Sequence, residues 1–240
     1  MKKLFTLMEL LVVMTIIFFL LSLFLPALKS VRDSAKNISC LNNIKQVSLA
    51  MYAYAGDYNG LICLGTFKVS PIATRPWLAV INGRGSHSDT PAYPQAFPVY
   101  LSNLKMAVCP SAIEMTRTSP ASYWWTDTYG TCSQSDFPDK LLCADGFSGW
   151  GGFLNLNRMP VSFPFLFDSM TYIWGTFTPV TTNSVSTNPS DISPSGIHLR
   201  HQNKSNSLFS DGSVKGLQSA DLKAKGYNRG YSQIYNRISF

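Results

Sequence analysis

An α+β fold is what this 240-residue chain predicts, and three observations carry that reading. Residues 10–28 form an apolar run, and its helical repeat continues past the run as an amphipathic pattern to about residue 55. After Gly60 the helical period disappears, and short apolar and aromatic runs alternate with Pro, Gly, Ser and Thr. The expected architecture is a long N-terminal helix laid on a small antiparallel sheet with long loops.

The helix comes first. The run LLVVMTIIFFLLSLFLPAL is interrupted only by Thr15, Ser22 and Pro26, long enough as a helix to cross a hydrocarbon core of about 30 Å. A secretory signal peptide with Lys2 and Lys3 as its charged end is the competing reading. Such a peptide has an apolar core of about 7 to 15 residues followed by a small-x-small cleavage site, and Pro26-Ala27-Leu28-Lys29-Ser30 offers a poor one. A retained span over about residues 8–28 is expected.

Beyond it, Leu28, Val31, Ala35, Ile38, Leu41, Ile44, Val47 and Met51 recur at three and four residues, with Lys29, Arg32, Asp33, Lys36, Asn43 and Lys45 between them. That is one apolar stripe on a helix that leaves the membrane and packs on a domain. The helix is expected over residues 5–57, stopping around Ala55, where Gly56-Asp57-Tyr58-Asn59-Gly60 supplies a helix-ending glycine and turn residues. Pro26 removes a backbone hydrogen bond and is expected to kink it. Glu9 stands out, because a carboxylate deep in a span costs about 2 to 3 kcal/mol and needs a partner, unless it is solvated at the interface.

The globular part is expected over residues 61–240. Residues 106–109, 163–167, 172–174 and 207–210 read as strands, Asp211-Gly212 as a tight hairpin turn, and residues 181–194 as a loop.

Charge and cysteines exclude several classes. The chain carries 20 Lys+Arg against 13 Asp+Glu, split evenly along its length, so no block is basic enough to mark a nucleic-acid binder. Only 14% of residues are charged while 13% are aromatic, a composition closer to exported than to cytosolic proteins. Cys40, Cys63, Cys109, Cys132 and Cys143 form no C-x-x-C pair, so no zinc ribbon or thioredoxin-type site is readable. In an exported domain they allow two disulfides and one leftover thiol. Cys132 and Cys143 can clip a local loop, whereas Cys40 and Cys109 can be joined only by the fold.

The N-terminal residues Lys2-Lys3-Leu4-Phe5-Thr6-Leu7-Met8-Glu9-Leu10-Leu11-Val12-Val13 resemble the processing signal of type IV prepilins and of type II secretion pseudopilins. The resemblance implies a pilin-like fold and a leader of residues 1–4. It also implies cleavage by a prepilin peptidase between Leu4 and Phe5, with N-methylation of Phe5. Where that family has Gly before the cut, this chain has Leu4. Glu9 would then pair with the Phe5 ammonium of a neighbouring subunit, which supplies the partner its burial requires. Pro26 falls where such helices commonly bend.

A second resemblance lies at the other end. His201, Asp211 and Gly212 look like the His-x9-Asp-Gly signature of a large group of prepilin-like proteins. The segments Ser39-Cys40-Leu41-Asn42-Asn43-Ile44-Lys45-Gln46, Tyr54 to Gly60 and Cys109-Pro110-Ser111 are similar to that group too.

Enzymatic chemistry is not expected. No nucleophile elbow, P-loop, H-E-x-x-H or glycine-rich dinucleotide loop is present, and with Glu9 and Glu114 as the glutamates a paired-carboxylate glycosidase is hard to assemble. His198 and His201, with Asp211 or Asp168, are ligand types a metal accepts, against a bland reading in which His201 and Asp211 tie a loop to the hairpin. No cofactor is expected. A calcium site is the alternative, drawing on Asp191, Asp211, Asp221 or the Asp57 turn, although calcium prefers six to eight oxygens. The basic tail of Lys215, Lys223, Lys225, Arg229 and Arg237 is interleaved with Tyr227, Tyr231 and Tyr235, and reads as a solvated face rather than a nucleic-acid platform.

The expected role is a structural subunit of a type II secretion pseudopilus or type IV pilus-like filament. Its partners would be the peptidase, other subunits and the inner membrane. It would cross that membrane once, with its domain on the periplasmic or extracellular side. Positive-inside counting sets Lys2 and Lys3 against Lys29, Arg32 and Lys36, and the cytoplasmic action of this family's peptidase decides the orientation. The alternative is a membrane-anchored surface protein whose domain binds glycan or another ligand.

Overall fold

A computed structural model describes residues 6–70, 73–83, 98–112, 129–132, 142–143, 152–172, 179–180, 184–185, 196–227, 229–232 and 237–239. Helix α1, Leu7–Asp57, starts on a reciprocal cap. The Glu9 amide donates to Thr6 Oγ1 at 3.2 Å while Glu9 Oε2 accepts from the Thr6 amide at 2.8 Å, so two donors that the first turn would leave orphaned are satisfied. The helix continues through Pro26 as one element. It ends at Asp57, the expected bound and two residues past Ala55. Gly56 is still helical, and Asn59 (φ 54°) and Gly60 (φ 80°) take the left-handed conformation instead. The Gly60 amide reaches back to the Ala55 carbonyl at 2.7 Å and closes the last turn.

The strands follow in short pieces. They are β1 (Leu61–Leu64), β2 (Thr66–Ser70), β3 (Ala73–Pro76), β4 (Gly130–Cys132), β5 (Leu142–Cys143), β6 (Gly152–Asn155), β7 (Pro164–Phe167), β8 (Ser169–Tyr172), β9 (Pro179–Val180), β10 (Ser184–Val185), β11 (Gly196–His198), β12 (Ser205–Phe209), β13 (Val214–Leu217), β14 (Arg229–Tyr231) and β15 (Arg237–Ser239). Helices α2 (Trp77–Ile81) and α3 (Ser219–Ala224) are short. Among the described residues the strands form two five-stranded sheets, in the orders β10-β4-β7-β12-β13 and β15-β14-β11-β8-β9. Smaller sheets β1-β6-β5 and β2-β3 stand beside them. The α+β layout is therefore as expected, except that β10–β4 and β11–β14 pair in parallel.

Expectations for individual strands fared unevenly. Residues 163–167 and 207–210 fall on β7 and β12, and β12 turns back into β13 through Ser210-Asp211-Gly212. Gly212 is left-handed (φ 77°), as a three-residue hairpin with a glycine at its last position requires. Residues 106–109 are not a strand. Asn103 caps the Lys105 amide at 3.1 Å and winds Leu104–Ala107 into a 3₁₀ turn. Tyr172 closes β8, whereas Ile173 and Trp174 lie outside the described residues. Within the expected loop 181–194, Ser184–Val185 pairs with β4, and the remainder lies outside the described residues.

Helix α1 packs on β1, β12, β13 and the 3₁₀ turn through Cys40, Ile44, Val47, Met51, Tyr54 and Ala55, which join Trp77, Phe165, Phe167 and Leu208 in one core. The expected stripe is covered only in its second half. Leu28, Val31 and Ile38 are exposed, because the domain first meets the helix near Asn37, where the Asn206 amide group donates to Asn37 Oδ1 at 2.8 Å. N-terminal to that point, residues 6–32 are exposed throughout. The helix holds an 18-residue window of mean hydropathy 2.7 with none of it buried, long and apolar enough to cross a membrane.

Candidate functional site

Beneath α1, four segments far apart in sequence bring chemically active side chains together. Cys40 comes from the helix, and Cys109 follows the 3₁₀ turn, held there because Asn43 of the helix donates to the Val108 carbonyl at 3.0 Å. Asp168 sits between β7 and β8. His201 opens the two-residue turn after β11, in which Gln202 (φ 52°) and Asn203 (φ 61°) are both left-handed and His201 and Lys204 exchange backbone hydrogen bonds at 3.0 Å. All four side chains are buried.

Their contacts interlock. Cys40 Sγ lies 3.5 Å from Asp168 Oδ1 and 3.4 Å from Tyr129 Oη. His201 Nε2 faces Cys109 Sγ at 3.3 Å and Asp168 Oδ2 at 3.4 Å. The Asn206 amide donates to Asp168 Oδ2 at 2.9 Å. Arg200, also buried, places its Nε 3.8 Å from Asp168 Oδ1 and donates through Nη2 to the Ser169 carbonyl at 2.5 Å.

Electrostatics follow from burial and these neighbours. Burial pushes the Cys40 thiol well up, and the hydrogen bond to Cys109 and the Asp168 charge add to it. Burial works against ionising Cys109 as well. Hydrogen bonds from Cys40 and His201, with the Arg200 charge, overcome it and hold that thiol well below the ordinary range. Burial lifts the Asp168 carboxyl to about 7, against the pull of Arg200 and His201. The His201 imidazole is raised despite burial, because Cys109 and Asp168 both favour its charged form. The shifts of Cys109 and His201 thus favour the charged forms of both, and that of Cys40 favours the neutral thiol.

No protein-family model, curated protein or solved structure matches this chain. The residues themselves must carry the functional reading.

The motif residues separate. His201 lies in the cluster, whereas Asp211 and Gly212 lie at the opposite end of β12. Asp211 accepts there from the Ser213 amide at 2.8 Å and from Ser162 Oγ at 2.9 Å. The nine-residue spacing is taken up by the Gln202-Asn203 turn, Lys204, the five residues of β12 and Ser210. The bland reading of Asp211 thus describes it, while the grouping of His198, His201 and Asp211 as ligands is not what the fold assembles. His198 Nε2 lies 3.1 Å from the Ser232 carbonyl, and burial and the Arg200 charge lower its pKa to about 2.

The helix segment similar to the prepilin-like group reaches the two motif segments most distant in sequence, around Cys109 and around His201 to Gly212. Cys40 enters the cluster, Asn43 holds Val108, the residue before Cys109, and Lys45 Nζ donates to the Gly212 carbonyl at 2.7 Å. Tyr52 Oη adds a bond to the Ser210 carbonyl at 2.7 Å, so the hairpin tip is held from the helix.

The remaining calls are scattered. Glu9 and Pro26 lie in the uncovered part of α1, and Leu4 and Phe5 are outside the described residues. Cys132, on β4, contacts Tyr227 Oη at 3.1 Å, and Cys143 is on β5 in another sheet with its side chain outside the described residues. Asp57 accepts from the distant Tyr100 Oη at 2.7 Å, and Asp221 from the Gln218 amide at 3.0 Å at the start of its own helix; Asp191 is outside the described residues. Tyr227 and Tyr231 are buried, which removes them from any stacking platform.

Sequence reasoning missed Tyr129, Arg200 and Asn206 as neighbours of this cluster. One signal was available: Cys40, Cys109 and His201 each fall inside a separate segment similar to the same group.

Proposed function

We propose that the chain is a structural subunit of a type II secretion pseudopilus or a type IV pilus-like filament, assembled through α1 in the inner membrane. The observation that supports this is the uncovered N-terminal half of that helix. Phe18, Phe19, Phe24 and Leu25 are each about two-thirds exposed, a contiguous apolar surface that must be covered by lipid or by the same helix in neighbours.

Glu9 fits this role chemically. Its Oε2 takes both bonds from Thr6, and Oε1 has no hydrogen-bond partner among the described residues, so one carboxylate oxygen stays available to an incoming ammonium. Prepilin peptidase would release residues 1–4 and methylate Phe5. The domain would then face the periplasm or the exterior, offering Asp57 and the β12–β13 hairpin as subunit surface.

Intact mass and amino-terminal sequencing of the protein from native membranes test processing. The expected chain begins at N-methylated Phe5; a chain beginning at Met1 would leave a membrane-anchored protein and remove the filament. Glu9→Ala is expected to stay folded and membrane-bound while incorporation into filaments is lost.

A further inference from the structure

We infer that Cys40, Cys109, Asp168 and His201 form a structural site for a divalent transition ion of the zinc type. Their ligand atoms, two sulfurs, a carboxylate oxygen and an imidazole nitrogen, all lie within 4.8 Å of one another. A tetrahedron with metal–sulfur bonds of about 2.3 Å and metal–nitrogen or –oxygen bonds of about 2.0 to 2.1 Å has edges of about 3.3 to 3.8 Å. The edges Cys109 Sγ–His201 Nε2 and His201 Nε2–Asp168 Oδ2 measure 3.3 and 3.4 Å, and Cys40 Sγ reaches the other oxygen of the same carboxylate, Oδ1, at 3.5 Å.

One atom argues the point most directly. His201 Nε2 faces a sulfur and a carboxylate oxygen together, and a single N–H can serve only one of them well. An ion at the centre serves all four groups at once. The donor set is borderline-soft, which suits zinc and excludes magnesium and calcium.

Charge points the same way. Both thiols bind as thiolates, their protons released to water, and with the carboxylate they leave one excess negative charge around a divalent ion. The buried Arg200 guanidinium stands beside Asp168, with Nε and Nη1 lacking hydrogen-bond partners among the described residues. A buried cation with orphaned donors is what an anionic centre would stabilise. Tyr129 on Cys40 and the Asn206 amide on Asp168 supply the supporting hydrogen bonds such centres use. With four protein ligands, all buried, no coordination position is left for substrate, so the site is structural rather than catalytic.

The full chain, purified in detergent without chelators, tests this. Elemental analysis is expected to find about one zinc per chain. After the metal is stripped under reducing conditions, added Co²⁺ should give the intense visible band of a tetrahedral ion and a thiolate charge-transfer band. His201→Gln is expected to weaken metal affinity at least tenfold, whereas His201→Cys, which restores a ligand, keeps the tetrahedral cobalt spectrum. Cys63→Ser, outside the cluster, should bind as the parent does. A metal-free chain two hydrogen masses lighter, with Cys40 and Cys109 joined as a disulfide, would overturn the site. So would a cobalt spectrum lacking thiolate bands in the reduced wild-type protein, a result that needs no variant to fold.

Discussion

Gly60 is where a single atom decides most. Its φ of 80° already disfavours any side chain, and an added Cβ would lie 2.5 Å from Asn157 Nδ2. Gly60→Ala is expected to cost about 1 to 3 kcal/mol in urea unfolding of the full chain, without changing its fold. Asp211 gives a pH-dependent counterpart. Hydrogen bonds from Ser213 and Ser162 hold its carboxyl at about 2, below the ordinary value of about 3.9. Because the folded value is the lower one, its contribution is complete above about pH 4 and fades as pH falls through about 2. At an exposed turn that contribution is small. The Ser213 amide proton shift should titrate with a midpoint near 2; a midpoint near 4 would mean the turn bonds do not form in solution.

At the level of elements, α1 was the most legible part of the sequence, because an apolar run over residues 10–28 that passes into three-and-four spacing up to Met51 leaves no strand alternative. Its end at Asp57 was legible too, but not the residue that closes it: Gly56 has the composition of a stop signal, whereas Gly60 is the one in the left-handed conformation. Periodicity also predicted a stripe longer than the domain. That difference is measurable: Ile44→Ala, fully buried, should cost about 2 to 5 kcal/mol, whereas Ile38→Ala should stay within about 0.5 kcal/mol. Equal losses at the two positions would mean the domain reaches further along the helix. The strands were legible as runs but not as partners, because β4 and β10 lie fifty residues apart and nothing local specifies their parallel register. Residues 106–109 misled for the same reason: four apolar letters carry no information about the Asn103 side chain that winds the turn before them.

For the whole molecule, the cluster was legible only in fragments. His201 and Asp168 were candidate ligands by type, and Cys40 and Cys109 a pair only the fold could join; separations of up to 161 residues defeat any spacing argument. The two ends of the chain are also separable in energy. Because residues 6–32 are exposed throughout, Glu9→Ala should leave the domain's thermal unfolding midpoint unchanged while assembly fails; a lowered midpoint would show that the two ends are coupled. The same separation has a mechanical meaning. Residues 7–36 of α1, at 1.5 Å each, extend for about 45 Å, some 15 Å more than a hydrocarbon core of about 30 Å. The chain is thus a rod gripped along about its final two-fifths, and if the apolar part spans a bilayer, a stalk bearing Lys29, Arg32 and Lys36 would separate it from the domain. Tension along the rod is carried in shear by the whole gripped length. Sideways load acts through the long lever arm, and it falls on the first buried residue of the grip, Cys40.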